Sequence, residues 1–177
     1  MTRRHAACCV AALLATAIVT HAAESLRILP LVNGKQMVVS LEIADAYTDD
    51  VREAISSGLR TTFTYDIELR MLVAGWVDRT VASVVVGMTD EYDNLTRRHS
   101  LSRTVDGRID ETIVTDDESK VRRWLTSVER LPLCSTSRLE RNREYYVRVS
   151  AQKRPQRTFP FNFTSPVSGR AKFTFIP

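Results

Sequence analysis

The sequence predicts an α+β domain made mainly of antiparallel β-sheet, open or closed into a sandwich, with two short helices. Three observations predict it. The stretch Thr61 to Ala74 puts Phe63, Tyr65, Ile67, Leu69, Met71 and Val73 at odd positions and Thr62, Thr64, Asp66, Glu68 and Arg70 at even ones, the period of a half-buried strand. Asn33-Gly34 and Asp106-Gly107 are pairs that favour two-residue hairpins, because both central residues accept positive φ. Only two segments carry helical periodicity, and strands and helices alternate irregularly, which withdraws support from a doubly wound parallel fold.

The first residues set the compartment. Met1-Thr2-Arg3-Arg4-His5 leads an apolar run from Ala6 to Val19 and the small-residue exit Thr20-His21-Ala22-Ala23. A basic lead, a short apolar run and a small-residue exit are the parts of a secretory signal peptide. We expect residues 1–22 to be removed and residues 23–177 to form a single β-rich globular domain in the periplasm. The run falls short of the about 20 residues that span a membrane, and no other segment is long enough, so no transmembrane helix is expected in the mature chain. Arg3-Arg4 lacks the surroundings of a twin-arginine signal, and almost nothing apolar precedes Cys8 or Cys9 to support a lipid anchor. Loss of those two cysteines leaves Cys134, which cannot form an internal disulfide. The fold must then stand on its hydrophobic core in an oxidising compartment, with the thiol buried beside Leu131, Pro132 and Leu133.

The elements follow in order. Ser25 to Val32 and Lys35 to Ala44 flank Asn33-Gly34 as a first hairpin, with Met37, Val39, Leu41 and Ile43 alternating. Thr48 to Gly58 predicts a helix of two to three turns: Asp or Thr caps it, Asp50 and Glu53 have capping-box spacing, Val51 and Ile55 share a face, and Gly58 stops it. After the long strand, Arg79 to Tyr92 is apolar through Val81 to Met88 almost without a break, which suggests a central strand covered on both sides. Asp90 to Asn94 reads as a turn. Leu95 to Val105 has more polar than apolar residues on both faces and reads as an edge strand. Asp106-Gly107 returns the chain through Arg108 to Val114.

Thr115 and Glu118 satisfy a capping box, and Val121, Trp124, Leu125 and Val128 form an i, i+3, i+4, i+7 stripe, so a second helix is expected to run until Pro132. Arg143 to Lys153 alternates Tyr145, Val147, Val149 and Ala151 as a strand. Arg154 to Gly169 is rich in Pro, Ser and Phe and reads as an irregular connection to a last strand, Arg170 to Ile176.

Charge is uneven along the chain. Glu24 to Glu118 holds 10 basic and 18 acidic residues, and Ser119 to Pro177 holds 13 basic and 3 acidic. The two parts can neutralise each other on folding, or the second can present a basic face to an anionic envelope surface or an acidic protein. Arg outnumbers Lys 21 to 4, which suits bidentate carboxylate or phosphate contacts.

The familiar chemistries find little footing. Neither Gly-x-Gly-x-x-Gly, a phosphate loop nor Gly-x-Ser-x-Gly occurs, which removes the usual signatures of dinucleotide, nucleotide and serine-hydrolase sites. His99 is the one histidine left after signal removal, on the polar stretch Arg97-Arg98-His99-Ser100, and it reads as a surface or half-buried structural residue. One Cys and one His make no zinc tetrad. Asp90-Glu91-Tyr92-Asp93 lacks the glycine-centred alternation of a calcium loop and reads as strand-end solvation. No catalytic residue, cofactor or metal is therefore expected. Arg148, Lys153, Arg154 and Arg157 near Tyr145, Tyr146, Phe159, Phe161 and Phe163 could suit nucleic acid, but export argues against that partner.

Glu91-Tyr92-Asp93-Asn94-Leu95-Thr96-Arg97-Arg98, Ser100-Leu101-Ser102-Arg103, Asp106-Gly107-Arg108, a capped helix, Leu139 and Tyr145-Tyr146-Val147-Arg148-Val149 together resemble the bacterial family known as domain of unknown function 4390. The resemblance covers roughly Gln36 to Pro177 and includes Ala54-Ile55-Ser56-Ser57-Gly58-Leu59. It implies a small exported protein of a Gram-negative bacterium without an established activity. Some members are encoded beside membrane sensor kinases, which implies a partner in envelope signalling. The family commonly carries an aromatic residue where this chain has His99, which argues against a catalytic histidine.

The expected function is non-enzymatic: binding of an envelope protein, such as a membrane sensor kinase, or of an anionic envelope surface. The candidate partner-binding residues are Arg97, Arg98, His99, Arg148, Lys153, Arg154 and Arg157. A carrier of a hydrophobic or lipid-like ligand, held between the sheet and the helix bearing Trp124, is one alternative. A hydrolase with carboxylates distant in sequence is another.

Overall fold

The structure, a computed structural model, describes residues 26–155 and 166–176, and of residues 154 and 155 the backbone alone. The chain runs through β1 (Leu26–Asn33), β2 (Gln36–Ile43), α1 (Asp49–Ser56), β3 (Thr61–Met71), β4 (Arg79–Asp93), β5 (Arg98–Val105), β6 (Arg108–Thr115), α2 (Glu118–Thr126), β7 (Ser127–Ser135), β8 (Arg143–Pro155) and β9 (Val167–Phe175). A six-stranded sheet has the order β6-β5-β4-β3-β8-β9 and a three-stranded sheet the order β1-β2-β7. All pairings are antiparallel. The fold class is α+β, mainly β and sandwich-like.

The alternation in β3 organises the core. Phe63, Tyr65, Ile67, Leu69 and Met71 are buried and the residues between them are half-buried. Directly opposite residues on antiparallel strands share a face. The core row of Tyr65 therefore continues to Val86 on β4 and Ala151 on β8, and that of Ile67 to Val84 and Val149. The three-stranded sheet covers the β8–β9 side, and its approach is close: a side chain at Gly169 would meet Leu26 Cδ2 at 3.2 Å. Both helices cover β3 and β4. Tyr65 ties the layers together by donating its hydroxyl hydrogen to the Leu125 carbonyl of α2.

Local chemistry explains the helix ends. Thr48 caps α1, its hydroxyl accepting from Val51 N, and Gly58 at φ +77° lets the chain leave the helix. On α2 the cap is Asp117, whose carboxylate accepts from Ser119 N and Lys120 N, while Thr115 Oγ1 accepts from Asp117 N. The expected box at Thr115 and Glu118 thus gives way to a carboxylate cap two residues on. The Ser119 side chain, together with those backbone donors, holds the Asp117 pKa below the usual carboxylate range.

Further expectations need correction. β5 is not an edge: β4 pairs with it on one side and the Asp106-Gly107 turn folds β6 onto the other, with both turn residues at positive φ. The edges of the six-stranded sheet are β6 and β9. β4 is central but covered on both faces only from Val86 to Asp90; earlier, Val85 is 43% exposed. Pro132 does not end α2, which stops at Thr126, and Ser127–Ser135 pairs with β2 as β7. β7 is an edge strand with irregular register around Pro132, a place where a residue without an N–H is tolerated. Cys134, half-buried opposite Met37 on that strand, is a free thiol whose pKa is raised by burial. The expected irregular segment lies mostly outside the described residues, and the last strand begins at Val167 rather than Arg170.

Candidate functional site

The even-numbered side chains of β3 face away from the core, and the register extends this outer face across β8 and β9. Glu68 lies opposite Arg148, and Arg148 opposite Arg170; Arg70 lies opposite Tyr146, and Tyr146 opposite Lys172. Neighbouring strands are about 4.8 Å apart and alternate residues on a strand about 7 Å, so Arg148, Arg170 and Lys172 form one compact cationic group. All three are exposed, and none has a hydrogen-bond or ion-pair partner among the described residues.

Next to them the polar groups are tied down. Arg70 Nη2 donates to the Asp78 carbonyl at 3.0 Å, and its Nη1 is 3.7 Å from Glu68 Oε2. Tyr146 donates its hydroxyl hydrogen to Asp78 Oδ2 at 2.9 Å, and burial together with that bond raises its pKa. The Arg70 Nε and Glu68 Oε2 atoms are buried without a hydrogen bond. A rigid base thus carries three cations that can meet carboxylate or phosphate oxygens.

A second polar cluster sits on the core face. Asp90 has no solvent exposure, lies between Thr61 and Leu101 on the flanking strands, and holds His99 Nδ1 at 2.9 Å from Oδ2. The His99 ring also lies against Tyr92 with centroids 4.6 Å apart. Burial raises the Asp90 pKa and the His99 hydrogen bond opposes the rise. Tyr47 is buried nearby with no hydrogen bond to its hydroxyl, and its pKa is pushed up to about 12 by burial, with the Glu118 and Asp90 charges adding. An aspartate fixing an imidazole is half of a nucleophile-activating arrangement. Here no hydroxyl or thiol completes it: among the described residues, Asp90 is the hydrogen-bond partner of the imidazole. No group of three or more His, Cys, Asp or Glu among the described residues could hold a metal ion.

The residues singled out from sequence do not form one site. Arg97, at φ +56°, and Arg98 are exposed at the β4–β5 turn, and an open depression of about 450 Å³ there is lined by Asp93, Thr96, Arg98, His99, Ser100 and Val114. His99 points to the core face. Arg148 is on β8, three strand steps from β5, on the outer face. Lys153 is opposite Phe63 on the core face, with Nζ donating to the Ala46 carbonyl at 3.4 Å. Arg154 pairs through its backbone with Thr62, and Arg157 lies outside the described residues. Arg148 therefore gains neighbours that sequence reasoning passed over, Arg170 and Lys172, although their alternation with Ala171 and Phe173 carried the signal. Asp90, expected to be solvated at a strand end, is instead buried within β4, and its period-two phase with Val86 and Met88 could have marked it as inward.

No helix among the described residues is long and apolar enough to cross a membrane. No curated protein and no solved structure matches the chain. The model of one family does match, over residues 24–164, a span that takes in both helices, the three-stranded sheet and every strand of the six-stranded sheet except β9. The chain belongs to the family described as domain of unknown function, DUF4390.

Proposed function

We propose that the chain is a non-enzymatic exported domain that binds an acidic envelope protein through the outer face of its six-stranded sheet. The observation that carries this reading is the exposed group Arg148, Arg170 and Lys172, which has no ion-pair partner among the described residues. Cations left unneutralised on a rigid sheet steer and orient an anionic partner. The signal-like segment at residues 1–22 supports the periplasm as the place of action, and a membrane sensor kinase is the kind of partner that the family resemblance suggests. The carrier reading draws less support, because Tyr65, Leu101, Val121 and Leu125 fill the core between the sheet and α2.

Capture from envelope extract tests the proposal. The wild type is expected to retain one dominant protein, less of it as salt rises, and the variant Arg148→Glu/Arg170→Glu/Lys172→Glu is expected to lose it. Equal capture by both would contradict the outer-face assignment.

A further inference from the structure

The end of the six-stranded sheet where β3 turns into β4 carries a different surface. Trp76 is 81% exposed and Val77 74%, at the tip of a turn shaped by Gly75 at φ +75°. Ile176, 75% exposed, follows β9 at the same end. The hydrogen bonds Leu72 N to Glu144 O and Asn142 N to Phe175 O, each 2.9 Å, bring these segments side by side. A large aromatic ring with most of its surface in water is costly to leave uncovered.

Around this apolar tip stand Arg79, Arg138, Arg141 and Arg143, against the carboxylates Asp78, Glu140 and Glu144. Glu140 is shared between Arg79 at 2.7 Å and Arg143 at 3.6 Å. Asp78 is already engaged by Tyr146. Arg141 is exposed with no partner among the described residues. The tip is thus apolar at its centre, and its arginine-rich rim carries one more cation than carboxylate.

We propose that this sheet end is a membrane-contact surface that seats Trp76 and Val77 at the headgroup level of an anionic phospholipid bilayer. Tryptophan favours that level because its ring is apolar and its N–H finds water or ester oxygens. The arginine rim supplies the complementary charge, and apolar insertion and electrostatic attraction reinforce each other. This surface shares with the proposed function only the premise that the protein works at the envelope. It lies at the end of the sheet rather than on its face, so one can fail without the other.

The test uses the chain as the cell processes and exports it, mixed with vesicles of phosphatidylglycerol and phosphatidylcholine or of phosphatidylcholine alone. Cosedimentation with the anionic vesicles is expected, with a blue shift of Trp76 emission read in a Trp124→Phe background. The chain has two tryptophans, so fluorotryptophan labelling of the wild type resolves the same change by NMR should that variant not fold. Trp76→Ser/Val77→Ser should weaken association about tenfold. The outer-face charge reversal should keep the Trp76 shift while losing the protein partner. Absence of anionic-vesicle binding, equal binding by Trp76→Ser/Val77→Ser, or self-association through Trp76 without vesicle binding would each overturn the proposal.

Discussion

His99 Nδ1 lies 2.9 Å from Oδ2 of Asp90, a carboxylate with no exposed surface. The pair is set into the core face of the sheet, where β4 and β5 pass beneath the helices, and its consequences are for stability. Replacing His99 by Phe keeps a ring beside Tyr92 but leaves the buried carboxylate without its partner, which should cost about 3 kcal/mol. Urea unfolding of His99→Phe at neutral pH measures it.

The same pair makes a pH prediction. Burial raises the folded-state pKa of Asp90 above its unfolded value, so proton binding favours the fold. Its contribution is complete below the unfolded pKa and is lost as pH rises through the folded one. Asp90→Asn removes that dependence and should gain on the wild type as pH rises from the ordinary carboxylate range. Urea midpoints taken across that range should diverge, and parallel curves would contradict the assignment.

Tyr65 joins the sheet to α2 through its bond to the Leu125 carbonyl. Tyr65→Phe removes the donor and strands a buried acceptor, at a cost of about 1–2 kcal/mol. Double-mutant comparison with a change confined to β6, such as Thr112→Ala, should be additive because the two sites share no contact.

Gly87 is required by close approach rather than by φ. A side chain there would meet Thr104 Oγ1 at 2.6 Å, so Gly87→Ala should destabilise by about 1–2 kcal/mol. Gly87→Ala/Thr104→Ala should recover most of that loss in thermal unfolding. No recovery would mean that the backbone, not the threonine, sets the limit.

The outer-face cations should matter for binding and not for folding. Arg148→Glu and Lys172→Glu, both at exposed positions, should leave the unfolding free energy within about 0.5 kcal/mol of the wild type. Partner capture should fall and lose its salt sensitivity.

What the sequence discloses depends on how local the cause is. The β3 alternation, the Asn33-Gly34 and Asp106-Gly107 turns and both helices have causes within a few residues and could be read directly. The status of β5 was misjudged from its polarity alone: short turns on either side, Asp106-Gly107 among them, give it β4 and β6 as neighbours, and a strand can be polar on both faces without lying at an edge. Pro132 misled for a related reason: a proline stops a helix interior, yet an edge strand with irregular register accepts it. The candidate site was half legible. Arg148 was identified by composition, but its grouping with Arg170 and Lys172 arises from the β8–β9 register, across a segment of the chain with no periodicity. Asp90 was hidden by its acidic neighbours, Glu91 and Asp93, which are exposed while it is not.

The central claim is that the outer sheet face meets an acidic envelope protein. In living cells, a photoreactive residue placed at position 170 reports on that face directly, and one at exposed position 53 on α1 is its control. The account predicts one dominant protein adduct from position 170, lost when Arg148→Glu and Lys172→Glu are added, and none of that species from position 53. The same adduct from both positions, or none from position 170 while the protein is folded and exported, would contradict it.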